Sequence, residues 1–467
     1  MNRNSKYYRL IKDTIVFGIG NLGSKLILFL LVPLYTNYMT KAEYGIADLV
    51  SSLSELILPF VSLVIFDAVQ RFAFSKHEKR EDVLLGGLLI CLAGTLSMIA
   101  ITPLVALYNT ITEWRWYLSI YVILTMYANV ERNYLKALDK NLLFSSLSIL
   151  QAIVLASLNI VFLCYGRMGV RGYLISMCIS QAVTVVGAFV FGGLPKELRR
   201  SEYNSDLIKR MLIYSFPLIF NNISWWAIHS FDKVVLERLL GATALGMYTV
   251  ASKMPSLVNV MTSIFSQAWG ISAVREYESE NEIEYYSSVF SILQVIIFGV
   301  CIVITMTIKL FMNYYVGPQF LESWRYVPLL VVAASFYSLG SFFASLYGVL
   351  MKSINNMVTT IISSSICIIM TLIMIPRVGV WGAVVGTYAA YIVIMIIRML
   401  DVKRYIDVNV GGYKFIINVL IVTIQALLVS FEIYNSLIVS TIAVVLMIYN
   451  NNSTINIMIK SSLLRKE

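Results

Sequence analysis

The sequence predicts an all-α, polytopic membrane protein, two pseudo-symmetric six-helix lobes followed by two C-terminal helices. At roughly 20 residues per span plus short connections, about 14 transmembrane helices fit. Three observations carry this reading. Hydrophobic residues make up 58% of the 467 residues and charged residues only 13%, with a mean hydropathy of +0.77, a composition that a soluble core does not accommodate. Apolar runs long enough to cross a bilayer as helices recur along the whole chain, without the two-residue alternation of an outer-membrane barrel. Short collinear matches relate the first half to the second.

Taken in order, the expected spans are 13–35, 45–70, 83–107, 116–138, 142–165, 170–194, 208–231, 245–270, 287–310, 326–350, 355–376, 380–400, 414–431 and 434–450. The first follows a basic stretch (Arg3, Lys6, Arg9, Lys12) without a small-residue cleavage site, which marks an uncleaved helix rather than a secretory signal. The second is closed by Arg71, Lys76, Lys79 and Arg80, and the sixth by Lys196, Arg199, Arg200, Lys209 and Arg210. Pro217 and Pro255 fall inside the seventh and eighth, where a lost backbone hydrogen bond permits a kink. Arg398, Lys403, Arg404 and Lys414 follow the twelfth, and Lys460, Arg465 and Lys466 close the chain.

These basic residues collect on one face, and the positive-inside rule makes that face cytoplasmic, with both termini on it and an even number of spans. The alternate loops hold fewer, chiefly Lys41, Arg115, Arg167, Arg171, Lys233, Arg238, Arg325 and Arg377. The net charge of +10 is therefore a topology signal spread over many loops, and nucleic acid is not an expected partner. Five cysteines (Cys91, Cys164, Cys178, Cys301, Cys367) fall singly in apolar runs, and His77 and His229 are isolated, so neither a metal site, a disulfide nor a cofactor is expected. No GxxxxGK[ST] loop is present, which argues against direct ATP hydrolysis.

The internal duplication sets the domain plan. Ala42-Glu43-Tyr44-Gly45 between spans 1 and 2 is matched 201 residues later by Thr243-Ala244-Leu245-Gly246 between spans 7 and 8, and the same offset takes Asn21 to Asn222. Gly169-Val170-Arg171-Gly172 entering span 6 is matched at an offset of 210 by Gly379-Val380-Trp381-Gly382 entering span 12. The expected organisation is an N-lobe (1–200, spans 1–6), a C-lobe (201–405, spans 7–12) and an appendage (406–467, spans 13 and 14 with a cytoplasmic tail). Parallel repeats of this kind place a cleft along the pseudo-twofold axis.

Lys25 sits about midway along span 1 and Lys253 well inside span 8. An ammonium at that depth costs roughly 3 kcal/mol on insertion scales unless it faces a wet cavity or a counter-charge. Both are candidate cargo-binding residues, and a basic interior suits an anionic, phosphate-bearing cargo. Glu55 lies at a depth similar to Lys25, and the two alternatives are a structural ion pair or exposure to a functional cavity. Glu55, Asp48 and Asp67 are candidate coupling or ion-pairing carboxylates, the latter two close to the membrane edge, where a solvated carboxylate is ordinary. Asn21, Asn222, Trp226 and Gln267 could hydrogen-bond or stack on a sugar, or bridge and pack helices. Arg132 and Lys136, at the cytoplasmic end of span 4, are candidates for greeting anionic headgroups or for enforcing topology. Asp232, Lys233, Glu237 and Arg238 are expected to form a solvated outer end of span 7.

The stretch Tyr38 to Gly45, its counterpart from Phe231-Asp232-Lys233 through Gly241 to Gly246-Met247-Tyr248, and the two Gly-Val-Xaa-Gly turns resemble those of Wzx-type oligosaccharide flippases in the multidrug/oligosaccharidyl-lipid/polysaccharide (MOP) exporter superfamily. The resemblance covers essentially the whole chain. It implies a non-enzymatic transporter of the bacterial cytoplasmic membrane that moves an undecaprenyl-pyrophosphate-linked oligosaccharide from the cytoplasmic to the outer leaflet. The implied partners are that lipid-linked oligosaccharide, membrane lipids and a polysaccharide polymerase. It implies a cationic central cavity, matched by Lys25 and Lys253 in location, though no large arginine cluster accompanies them. A prenyl tail needs a hydrophobic route, for which spans 13 and 14 are candidates. The alternatives are a multidrug exporter of the same superfamily and a membrane glycan polymerase or ligase; the short external loops disfavour the last.

Overall fold

The computed structural model describes residues 23–75, 77–277 and 279–456, apart from the side chains at positions 267, 268 and 271. No strand occurs among the described residues. Ten of the described helices are long and apolar enough to cross a membrane, and Ser436–Asn450 is a shorter apolar one. The chain divides into two compact units, Met1–Trp226 and Ala227–Glu467.

In the first unit, helical residues 23–30 lead through Leu31 into α1 (Val32–Tyr38). Thr40 then starts α2 (Lys41–Ser62) with a capping box: its hydroxyl accepts the Glu43 N–H, and the Glu43 carboxylate accepts the Thr40 N–H at 2.8 Å. The expected second span is broken at Leu63 and Val64, both left-handed (φ 48° and 53°), before it resumes as α3 (Ile65–Ala73). Ser62 supports the break by accepting the Val64 N–H. There follow α4 (Arg80–Val105), α5 (Arg115–Ala137), α6 (Asn141–Asn159, running into a π-helical turn, Ile160–Tyr165) and α7 (Gly169–Phe191). The tyrosines and charged residues of α5 keep it out of the ten most apolar helices, although it occupies the expected position of span 4.

The long α8 (Ser205–Leu240) carries the boundary between the two compact units within it. The physical reason is local packing: a Cβ on Gly86 of α4 would meet Ile208 at 3.0 Å and Met211 at 3.7 Å, and Tyr214 packs edge-on against Phe72 of α3. The start of α8 thus belongs to the first unit. The second unit continues with α9 (Ala242–Lys253) and α10 (Ser256–Glu276), two helices where one span was expected. Pro255 accounts for the break, because its ring and missing N–H interrupt the ladder. Then come α11 (Glu282–Tyr315), a 3-10 segment (Pro318–Tyr326), α12 (Val327–Val349), α13 (Ser353–Val378), α14 (Val380–Val402), α15 (Tyr413–Ser430) and α16 (Ser436–Asn450).

The repeat seen in the sequence has a geometric counterpart in each unit. The first helical residues Lys41 and Ala242 stand at the same 201-residue offset as the motifs. Both Gly-Val-Xaa-Gly turns open on a glycine with positive φ, 51° at Gly169 and 62° at Gly379. Both end on a glycine that admits a neighbour too close for a side chain: a Cβ would lie 2.9 Å from Phe162 at Gly172 and 2.3 Å from the Ile375 nitrogen at Gly382. In the first unit Gly169 also abuts Glu43 of the capping box, and in the second Gly379 lies against Leu240, just before the loop that precedes α9. The glycines are there because backbones meet, not merely because turns need them.

At the loop joining α15 to α16, Lys309 and Arg325 both donate to the Glu432 carboxylate, Arg325 at 3.0 Å. Arg325 also pairs with Glu322 at 2.8 Å. The hydrogen bond from Lys309, reinforced by both positive charges, draws the Glu432 pKa below the ordinary carboxylate range. A depressed folded-state pKa means that this stabilisation is complete above the unfolded value, about 4.3, and is lost as pH falls through the lower folded one. The clamp is partly exposed, so Glu432→Gln is expected to cost no more than about 1 kcal/mol at neutral pH and to remove this acid-dependent contribution, as read by melting curves against pH.

Two expectations are overturned. Asp232 and Glu237 are not solvated: they are 1% and 8% exposed, because α8 runs on to Leu240 and stays packed, leaving only Arg238 of that group exposed. Arg398, expected in a cytoplasmic loop, is 1% exposed, because α14 extends to Val402 and carries it into the bundle. Its guanidinium donates to Asn356 Oδ1 (2.7 Å), Thr360 Oγ1 (3.0 Å), Thr359 Oγ1 (3.2 Å) and the Gly340 carbonyl (3.4 Å). It ties α12, α13 and α14 together.

Candidate functional site

In the first unit, Lys25 is exposed on the helical stretch that precedes α1, and Glu55 is exposed on α2. Lys25 forms no ion pair with Glu55, whose charge acts on the Tyr121 phenol of α5. Asp48 is buried within α2, at 4% exposure, rather than solvated at the membrane edge. Asp67 on α3 is half-buried and near Lys136, though not in ion-pair contact with it. Asn222 donates to the Leu218 carbonyl one turn back, and the Trp226 indole donates to the Ser52 carbonyl at 2.7 Å, so both have helix-bracing partners. Asn21 and the Gln267 side chain lie outside the described residues.

In the second unit, Lys253 ends α9 where the chain breaks before Pro255, and its charge acts on the Tyr315 phenol of α11. More is assembled along α8. His229 and Asp232 are three residues apart, and Tyr391 and Thr387 of α14 are four apart, so each pair lies on one helix face and the faces meet. The Tyr391 hydroxyl lies 2.8 Å from His229 Nδ1, with the Tyr337 ring edge-on to the imidazole. Thr387 donates to Asp232 Oδ2 at 3.2 Å, Tyr248 of α9 donates to the same oxygen, and the Lys233 N–H reaches Oδ1 at 2.8 Å. Asp232, one turn on from His229, is enclosed. A buried carboxylate held by hydroxyl and amide dipoles, with the Lys233 charge acting on it, can exchange a proton or a small cation when its helices move.

Between α15 and α16 runs a groove of about 520 Å³ walled by apolar side chains, among them Leu420, Ile424, Leu428, Ile438, Ile442 and Leu446. Its chemistry suits a hydrocarbon chain.

The fold defines a class before a family. It is similar to the lipid II flippase MurJ in an inward closed conformation (TM-score 0.66, 13% identity, 96% of this chain and all of that one). It is similar, too, to an inward-facing multidrug resistance MATE family transporter of the MOP superfamily (TM-score 0.63, 15% identity, 82% of this chain and 98% of that one). The chain shares the polytopic helical fold of these two transporters. The chain belongs to the polysaccharide biosynthesis protein family, whose profile matches residues 10–270. An Lsg-locus protein of Haemophilus influenzae is 19% identical over 266 residues, a match that spans 56% of this chain and 65% of that relative's length.

Sequence reasoning missed the Asp232 seam because α8 was expected to end at 231, which made Asp232 look terminal. The hydroxyl partners come from residues 16 and 155 positions away, and nothing local announces them. It also missed Glu131 of α5, buried at 2% exposure with Oε2 lacking a hydrogen-bond partner. Among the described residues no cation neutralises that carboxyl, so Glu131→Gln is expected to leave thermal stability within about 1 kcal/mol of the parent or to raise it.

Proposed function

We propose that this protein flips an undecaprenyl-pyrophosphate-linked oligosaccharide from the cytoplasmic to the outer leaflet of the bacterial cytoplasmic membrane by alternating access, serving cell-surface polysaccharide assembly with a polymerase downstream. The observation that carries this reading is one lysine within an expected span in each unit, Lys25 exposed in the first and Lys253 half-buried in the second. Two ammonium groups suit a pyrophosphate, whose oxygens accept charge-assisted hydrogen bonds, and suit an organic cation badly. Alternating access by the six-helix lobes, 1–200 and 201–405, would carry the headgroup across, with both termini cytoplasmic, while the prenyl chain lies in the α15–α16 groove of the 406–467 appendage. Asp232 is the coupling carboxylate in this scheme, ahead of Glu55, Asp48 and Asp67, because its hydroxyl partners sit on two other helices, α9 and α14, whose movement against α8 would reset them. A deletion strain complemented with Lys25→Gln or Lys253→Gln should accumulate the lipid-linked intermediate on the cytoplasmic leaflet. If polysaccharide export is unaffected while resistance to cationic drugs changes, the multidrug-export reading takes its place.

A further inference from the structure

A second cluster of positive charge lies in the first unit, at the turn from α5 to α6, and the cargo reading does not use it. The Arg132 guanidinium carbon and the Lys136 ammonium each stand 4.7 Å from the centroid of the same ring, Phe144 on the first turn of α6. Both are half-buried, and their polar partners are neutral: Arg132 donates to the Ser148 hydroxyl at 2.5 Å and Lys136 to Asn133 Oδ1 at 2.9 Å. Lys140, at the N-cap of α6, turns away to the Gly192 carbonyl at 2.6 Å and gives that helix end no side-chain cap. Three carboxyls lie near. Asp67 is outside ion-pair distance of Lys136, Asp139 is exposed in the turn, and Glu131 is buried beside Cys91.

Two like charges gathered on one ring, with no carboxylate among the described residues in ion-pair contact with either, are poorly placed unless an anion completes the arrangement. The donors present, a planar fork and an ammonium, match a phosphate group with several acceptor oxygens. Leu142 beside them is 70% exposed, an apolar neighbour for acyl chains rather than for a dissolved ion. We infer that the α5–α6 turn is a seat for the phosphate of an anionic membrane lipid, formed by Arg132, Lys136 and the Phe144 ring. The turn belongs to the face that the charge pattern assigns to the cytoplasm, where anionic headgroups and basic side chains attract. The seat would fix the depth and orientation of the first unit in the bilayer, and it stands whether or not the cargo assignment is right.

Native mass spectrometry of the purified full chain, titrated with phosphatidylglycerol or phosphatidylcholine, tests this. The parent should retain phosphatidylglycerol in preference, and Arg132→Gln/Lys136→Gln should reduce that retention about tenfold or more, whereas neutralising the exposed Lys79 and Lys403 together should not. Phe144→Leu, which keeps both charges and an apolar core, should weaken retention by a smaller factor and guards against misreading a folding defect. Displacement of the lipid by inorganic phosphate, with the phosphate itself bound through the same two residues, would keep the seat and make free phosphate its ligand. Equal retention of the two lipids by the parent, or equal losses in the double variant and the Lys79/Lys403 control, would overturn the inference.

Discussion

Asp232→Asn is expected to cut the rate of lipid-linked oligosaccharide flipping by between about 5-fold and 150-fold, the range that a coupling free energy of roughly 1–3 kcal/mol spans, while the protein still folds. The amide keeps the shape of the side chain and can still accept from Thr387 or Tyr248, so the packing of α8, α9 and α14 is largely preserved. What it loses is the negative charge that a proton or a small cation would neutralise. Initial rates in proteoliposomes, measured with imposed pH and sodium gradients in turn, separate the two couplings. The parent should respond to one gradient and the variant to neither. A variant that keeps both its rate and its gradient response would reduce Asp232 to a structural tie between helices.

Arg398→Ala should be the most destabilising single change, costing roughly 3 kcal/mol or more, read as a fall in thermal midpoint of the purified protein. The substitution empties the volume of a fully buried arginine and strands the acceptors on Asn356, Thr359, Thr360 and Gly340. Arg398→Lys should recover only part of the loss, since one ammonium cannot span acceptors laid out for a planar fork. Nearby, Tyr347 and Asn355 both donate to Asp401 at 2.8 Å, so α12, α13 and α14 share a second tie that should survive Arg398→Ala. If the thermal midpoint is unchanged, the arginine is not the brace it is taken to be here.

The helical class and the repeat were legible because both are written in local terms: apolar runs of bilayer length, and glycines where backbones touch. Gly172 and Gly382 illustrate why short motifs carried so much, since each marks a contact that a single methyl group would block. The breaks were less legible. Pro255 announces one, but nothing in Ser62-Leu63-Val64 foretells two successive left-handed residues, which ordinary side chains adopt only when surrounding packing outweighs their strain. Polar side chains near span ends were the hardest. Asp232 and Arg398 read as solvated because charges at helix termini usually are, and only the tertiary arrangement supplies Tyr248 and Thr387 to one and Asn356 and Thr360 to the other. Arg132 and Lys136 were visible as a basic pair, whereas the ring they share lies across a turn, on the next helix.

The most direct measurement is the initial rate at which purified protein in proteoliposomes moves a fluorescent undecaprenyl-pyrophosphate oligosaccharide across the bilayer, for the parent, Lys25→Gln and Lys253→Gln. Each ammonium lost removes a charge-assisted hydrogen bond to phosphate, so each variant should fall about tenfold or more, with the uptake of an uncharged polyprenyl glycoside unaffected. Parental rates in both variants would contradict phosphate recognition by these lysines.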